Sequence, residues 1–150
     1  MRLKGSCHCG AVRFSVASET PYPYLHCYCS ICRKTAGGGG YAINLMGKAD
    51  TFRKKGRTQA YRATRGGGER HFCPKCGSAL WVWDKRWPEG IYPFASAIDT
   101  PLPAPRERQH LLLDSKANWV PVPKGPREKR FRGYPREAIL DWHRKRGLLR

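Results

Sequence analysis

Seven cysteines fall into three tight clusters, and none lies outside them. Cys7 and Cys9 make C-x-C, Cys27, Cys29 and Cys32 make C-x-C-x-x-C, and Cys73 and Cys76 make C-x-x-C with Gly77 behind. Isolated core cysteines would be scattered, and a disulfide framework favours an even count. Close pairs joined by sharp turns instead aim several thiolates at one point, which is what a zinc ion needs. Seven also divides as four plus three. Four thiolates close a structural zinc site, whereas three leave a coordination position for water or substrate.

Both spacings chelate, so spacing alone does not fix the grouping. The favoured split joins Cys7, Cys9, Cys73 and Cys76 in one site and leaves Cys27, Cys29 and Cys32 as a self-contained knuckle. The competing arrangement closes the middle site with a fourth protein ligand. His26 adjoins Cys27, and His71 or His8 could reach across. A histidine beside a cysteine can equally orient the ligands from behind.

The rest of the composition suits a small fold pinned by metals. The 150 residues fit one domain spanning 1–150. Gly and Pro number 16 and 12, an excess that favours short strands and turns over long helices. The expected fold class is therefore mainly β: short antiparallel strands, many loops, zinc staples and a C-terminal helix. No apolar leader precedes Cys7 and no run approaches the length of a membrane span. A cytoplasmic location, where thiols stay reduced, is expected. The formal net charge is +18. Its basic residues are spread along the chain, densest at 53–57, 124–136 and 144–146. That pattern reads as a solvated basic surface or a field for a small anion more readily than as a nucleic-acid site.

Strand signals flank each cluster. Val12, Phe14 and Val16 alternate within 10–16, directly after the first pair. Residues 22–27, 41–45, 51–53, 59–64, 79–83 and 110–114 are further strand candidates. Gly66-Gly67-Gly68 reads as a hairpin tip leading to Arg70-His71-Phe72 and the third cluster. In 79–83, Leu80 and Val82 share one face, Trp81 and Trp83 the other. Residues 124–134 read as a basic loop. Pro135 is placed in a first helical turn, with Ala138, Ile139 and Trp142 at helical spacing and Gly147 as the stop.

An open three-thiolate zinc stabilises an entering thiol as thiolate, ready to attack a small electrophile such as an aldehyde. Water activation is the other option, but three thiolates weaken the Lewis acid, which favours thiol chemistry. Beside the knuckle, Arg33 and Lys34 either meet carboxylates of a bound thiol or form a solvated face, and Gly37 opens a four-glycine run that either lets backbone approach a ligand or simply turns the chain. That run lacks the Lys and Ser/Thr of a phosphate-binding loop.

Gly5-Ser6-Cys7-His8-Cys9-Gly10-Ala11-Val12, Cys27-Tyr28-Cys29-Ser30-Ile31-Cys32-Arg33-Lys34 and Phe72-Cys73-Pro74-Lys75-Cys76-Gly77-Ser78 together resemble the glutathione-dependent formaldehyde-activating enzymes. Asp114-Ser115-Lys116-Ala117-Asn118-Trp119 and residues 134–148 extend the similarity. The resemblance implies a structural zinc on Cys7, Cys9, Cys73 and Cys76. It implies a catalytic zinc on Cys27, Cys29 and Cys32 whose fourth position takes the glutathione thiol. The implied reaction joins glutathione and formaldehyde into S-(hydroxymethyl)glutathione, a carbon–sulfur lyase running in reverse. The chain departs from glutathione-using members at Arg33-Lys34-Thr35, where Trp-Lys-Pro is usual. The alternative is a non-catalytic zinc-stapled binding module, for which the +18 charge suggests nucleic acid as a partner.

Overall fold

A computed structural model describes residues 1–149. Twelve strands form three sheets. β1 (Arg2–Ser6), β2 (Arg13–Ala17) and β6 (Arg53–Lys55) make the first, in the order β1-β2-β6, entirely antiparallel. The second is a five-stranded antiparallel sheet. It contains β5 (Gly47–Lys48), β7 (Gln59–Arg62), β8 (Glu69–Phe72), β9 (Ala79–Trp83) and β10 (Gly90–Pro93), ordered β5-β10-β9-β8-β7. β3 (Tyr24–Cys27), β4 (Ala42–Asn44), β11 (Arg108–Leu111) and β12 (Glu128–Arg130) make the third, ordered β12-β11-β3-β4. Here β11 runs parallel to both β3 and β12, and only β3–β4 is antiparallel. Two short α-helices occur among the described residues, α1 (Ser30–Ala36) and α2 (Ile139–Lys145). No helix among the described residues is long and apolar enough to cross a membrane.

The alternation read from 10–16 is real. Val12, Phe14 and Val16 are buried, and Arg13 faces solvent. β1 pairs with β2 and went unread because only Leu3 and Gly5 point inward. Gly5 carries no apolar signal, yet it packs tightly. A Cβ there would lie 2.3 Å from Phe14 Cζ on the paired strand, so the missing side chain seats an aromatic ring. Leu3, Val12, Phe14, Val16, Leu80 and Trp81 share the main core with Cys7 and Cys73. Trp81 meets Phe14 and Phe52 edge-on at 5.1 and 4.7 Å. Leu80 and Trp81 sit on opposite faces of β9 and are both buried, so the sheet is covered on both sides there.

Several expectations shift. Residues 124–134 are not wholly loop, because β12 adds to the edge of β11 at Glu128–Arg130. The strand expected over 110–114 ends at Leu111, since Leu112 adopts φ 58°, which no pleated strand accommodates. Residues 51–53 split between a 3-10 turn (Ala49–Thr51) and β6. Pro135 lies outside α2, which begins only after Ala138, while Gly147 does follow the helix with φ 64°. The helix α1 had no apolar periodicity strong enough to announce it.

Candidate metal centres and active site

The loop after β1 and the turn between β8 and β9 bring Cys7, Cys9, Cys73 and Cys76 together, their sulfurs all within 4.8 Å of one another. Gly10 (φ 77°) and Gly77 (φ 79°) permit the two turns. Their amides donate to the Cys7 and Cys73 carbonyls at 3.1 and 2.8 Å. Cys7 and Cys9 sulfurs are 3.6 Å apart, and Cys9 and Cys73 sulfurs 3.8 Å. A tetrahedron of thiolates around zinc, with bonds near 2.3 Å, has sulfur–sulfur edges of about 3.8 Å. A disulfide would require about 2.05 Å, and all seven cysteines are free. The Val12 amide also donates to Cys7 Sγ at 3.2 Å, fixing that ligand's direction.

The second group contains Cys27, Cys29 and Cys32, again with all three sulfurs within 4.8 Å. Cys27 ends β3, Cys29 caps α1 and Cys32 lies in its first turn. The Cys32 amide donates to Cys29 Sγ at 3.3 Å, so one sulfur doubles as the helix cap. Cys27 and Cys32 are buried with Ala42 and Phe94, and Leu112 and Val82 pack against them. Hydrogen bonds from the Cys27 and Cys32 thiols, then from the Cys32 and Ile31 amides, hold the Cys29 thiol well below its ordinary range. The Cys27 thiol is pushed the other way by the same neighbours and by burial, so the three thiols do not ionise independently.

No histidine, aspartate or glutamate joins either group among the described residues. His26 points away from Cys27, as alternation along β3 requires. It stacks on Tyr41 at 4.8 Å and lies 4.9 Å from His110. His71 is engaged by Thr58 and Glu69 and stacks on Trp81. His8 is exposed in the first turn. Arg33, Lys34 and Gly37 line one cleft of about 720 Å³, together with Cys7, His8, Ser78 and Asp99. The cleft lies along the far part of α1 and borders the four-cysteine group. Gly37 has a packing reason as well, since a Cβ there would lie 2.2 Å from the Tyr41 carbonyl oxygen.

Two features escaped sequence reading. Arg70 on β8 donates from Nη2 to Cys32 Sγ at 3.5 Å, across 38 residues. Behind the knuckle runs a polar chain. The Tyr28 hydroxyl lies 2.8 Å from His110 Nδ1, His110 Nε2 donates to Glu128 at 2.7 Å, and Arg108 pairs with the other Glu128 oxygen at 2.7 Å. β12 brings Glu128 in, so a segment read as loop supplies the acid. Burial alone would raise the Glu128 carboxyl, but hydrogen bonds from His110 and Arg108 outweigh it and hold the group below its usual 4.5. A depressed folded-state value contributes stability that is present above 4.5 and lost as the pH falls through the folded value. Glu128→Gln is expected to cost about 2–4 kcal/mol near neutrality by stranding a buried partner. It should also flatten the loss of stability below pH 4.5, which denaturant titrations at several pH values would read.

The fold and site thus define a mainly β protein with two unlike cysteine centres, each able to hold a metal ion. The glutathione-dependent formaldehyde-activating enzyme family model matches residues 2–111. A protein of Halomonas elongata named for this family is 58% identical over 99% of this chain and 98% of its own length. A crystal structure of a Rhodobacter sphaeroides protein superposes with TM-score 0.56 at 26% identity, covering 67% of this chain and 91% of that one. The chain belongs to the glutathione-dependent formaldehyde-activating enzyme family, and it is an enzyme.

Proposed function

We propose that the protein adds a glutathione-type thiol to a small aldehyde such as formaldehyde. This is S-(hydroxymethyl)glutathione synthesis, a carbon–sulfur lyase reaction in reverse. The observation that carries the reading is the trio Cys27, Cys29 and Cys32, which converges without a fourth side-chain ligand among the described residues. The family match supports the choice of substrates. A zinc ion bound there supplies a Lewis-acidic position that keeps an incoming thiol as thiolate near neutral pH. Cys27, Cys29 and Cys32 hold the centre, with Cys29 fixed by the start of α1. Cys7, Cys9, Cys73 and Cys76 hold a second, structural zinc. Arg33 and Lys34 follow the trio along α1 and offer positive charge to the thiol's carboxylates from the neighbouring cleft, which Gly37 also lines and which none of Cys27, Cys29 and Cys32 lines.

In the reaction the thiolate sulfur bonds to the carbonyl carbon, the carbon–oxygen π pair moves to oxygen, and one proton is taken up there. The whole chain acts as one domain in a reducing cytoplasm, where its seven thiols stay available to metal. The uncatalysed addition is itself measurable, so the test is acceleration. Carbon-13 formaldehyde and glutathione at equilibrium should exchange label at a rate that rises linearly with added zinc-loaded protein. Exchange that stays at the uncatalysed rate, with both metals bound, would contradict this function.

A further inference from the structure

The geometry points to Arg70 as the positioning residue that lets the three-cysteine centre accept a fourth, anionic sulfur. The inference rests on the metal-centre reading above and adds a residue outside all three cysteine clusters.

Arg70 sits on β8 between Tyr61 and Val82 of its neighbouring strands. Val82 packs against the Cys27/Cys32 cluster, and Arg70 shares that side of the sheet. Its Nη2 donates to Cys32 Sγ at 3.5 Å, while its Nε is buried without a hydrogen-bond partner. No carboxylate pairs with Arg70 among the described residues, and its only side-chain hydrogen bond there goes to the Cys32 sulfur. A half-buried guanidinium left without an acid is costly unless the thiolates themselves balance it.

The charge count explains the placement. Three thiolates around a divalent ion carry one net negative charge, and a fourth thiolate makes it two. In a partly desolvated pocket the second charge resists entry. A guanidinium on a ligand sulfur offsets that repulsion, and more so once the fourth sulfur arrives. Tyr134 is exposed. Gly133, its neighbour, is bonded to the Leu112 amide next to the cysteine cluster. Cys29 and Arg70 are each partly exposed, so the centre meets solvent, and an exogenous thiol enters there.

The test compares Arg70→Met, Arg70→Lys and the unaltered protein, each loaded with cobalt. Metal content is measured first. Binding of two thiols, glutathione and the carboxylate-free 2-mercaptoethanol, is then followed by sulfur-to-cobalt charge transfer. Expected is full metal content in all three, with the dissociation constant for both thiols raised about tenfold in Arg70→Met. That is the effect of one charge-assisted hydrogen bond. Part of the loss should return in Arg70→Lys. Arg70→Gln replaces the Met variant if the latter does not fold.

Unchanged thiol binding in the charge-removing variant overturns the inference. So does a loss confined to glutathione, which would make Arg70 a carboxylate contact, and so does metal loss in every variant, which would make it purely structural. An unaltered protein whose cobalt bands ignore both thiols refutes the open centre, and this inference falls with it. A responsive unaltered protein with equally responsive variants refutes the inference alone.

Discussion

Cys73→Ser is expected to abolish cooperative folding. Cys73 has no solvent exposure and sits in the main core beside Cys7, Leu80 and Trp81. Its centre ties the end of β1 to the β8–β9 turn, holding the three-stranded sheet to the five-stranded one. Structural zinc sites contribute about 10–16 kcal/mol in small peptides. Whole domains are stable by only about 5–15 kcal/mol. Losing one thiolate of four, and burying a hydroxyl in its place, removes a term as large as the total. Differential scanning calorimetry should show no sharp transition, and bound metal should fall from two ions per chain to at most one. A normal transition with both ions retained would remove the structural role assigned to this group.

The opposite behaviour is expected at the other centre. Cys29→Ser should leave the fold nearly intact and remove catalysis. Cys29 caps α1 by accepting from the Cys32 amide, and serine is among the best residues for that position. The helix therefore keeps its cap while the metal loses a thiolate. One ion per chain should remain, in the four-cysteine group. Loss of a residue that merely supports a ligand typically lowers metal affinity or activity 10–100-fold. Loss of the ligand itself should exceed a hundredfold in the label-exchange rate. A variant that keeps two ions and most of its activity would contradict a catalytic role for the trio. The pair of substitutions is informative because the same atom change has different consequences in a buried staple and at a helix cap.

Legibility in the sequence followed the range of the interactions. The cysteine groups could be read because each chelating pair is local and thiolate arithmetic is restrictive. Their grouping could be argued because a three-residue knuckle needs no distant partner. β2 and β9 were visible as alternation or as a dense aromatic and β-branched run. β1 was not, because Gly5 stands where an apolar residue would have signalled a buried face, its space filled by Phe14. α1 was hidden by its length of seven residues and by cysteines that read as a turn. The parallel pairing of β3 with β11 joins residues such as His26 and His110, 84 positions apart, and no local pattern encodes it. Glu128 and Arg70 depend on that kind of closure. Each looked like one more charge on a basic chain until the sheets set it against His110 or Cys32.

The most direct measurement is a glutathione titration of the protein carrying cobalt in both centres, followed by visible absorption. Cobalt reports its own ligands, so entry of a fourth sulfur alters both the d–d bands and the charge-transfer bands. Expected is a saturable change corresponding to one of the two cobalt ions, absent in Cys29→Ser. Spectra that stay fixed while both ions remain bound would contradict an open three-cysteine centre that takes a thiol.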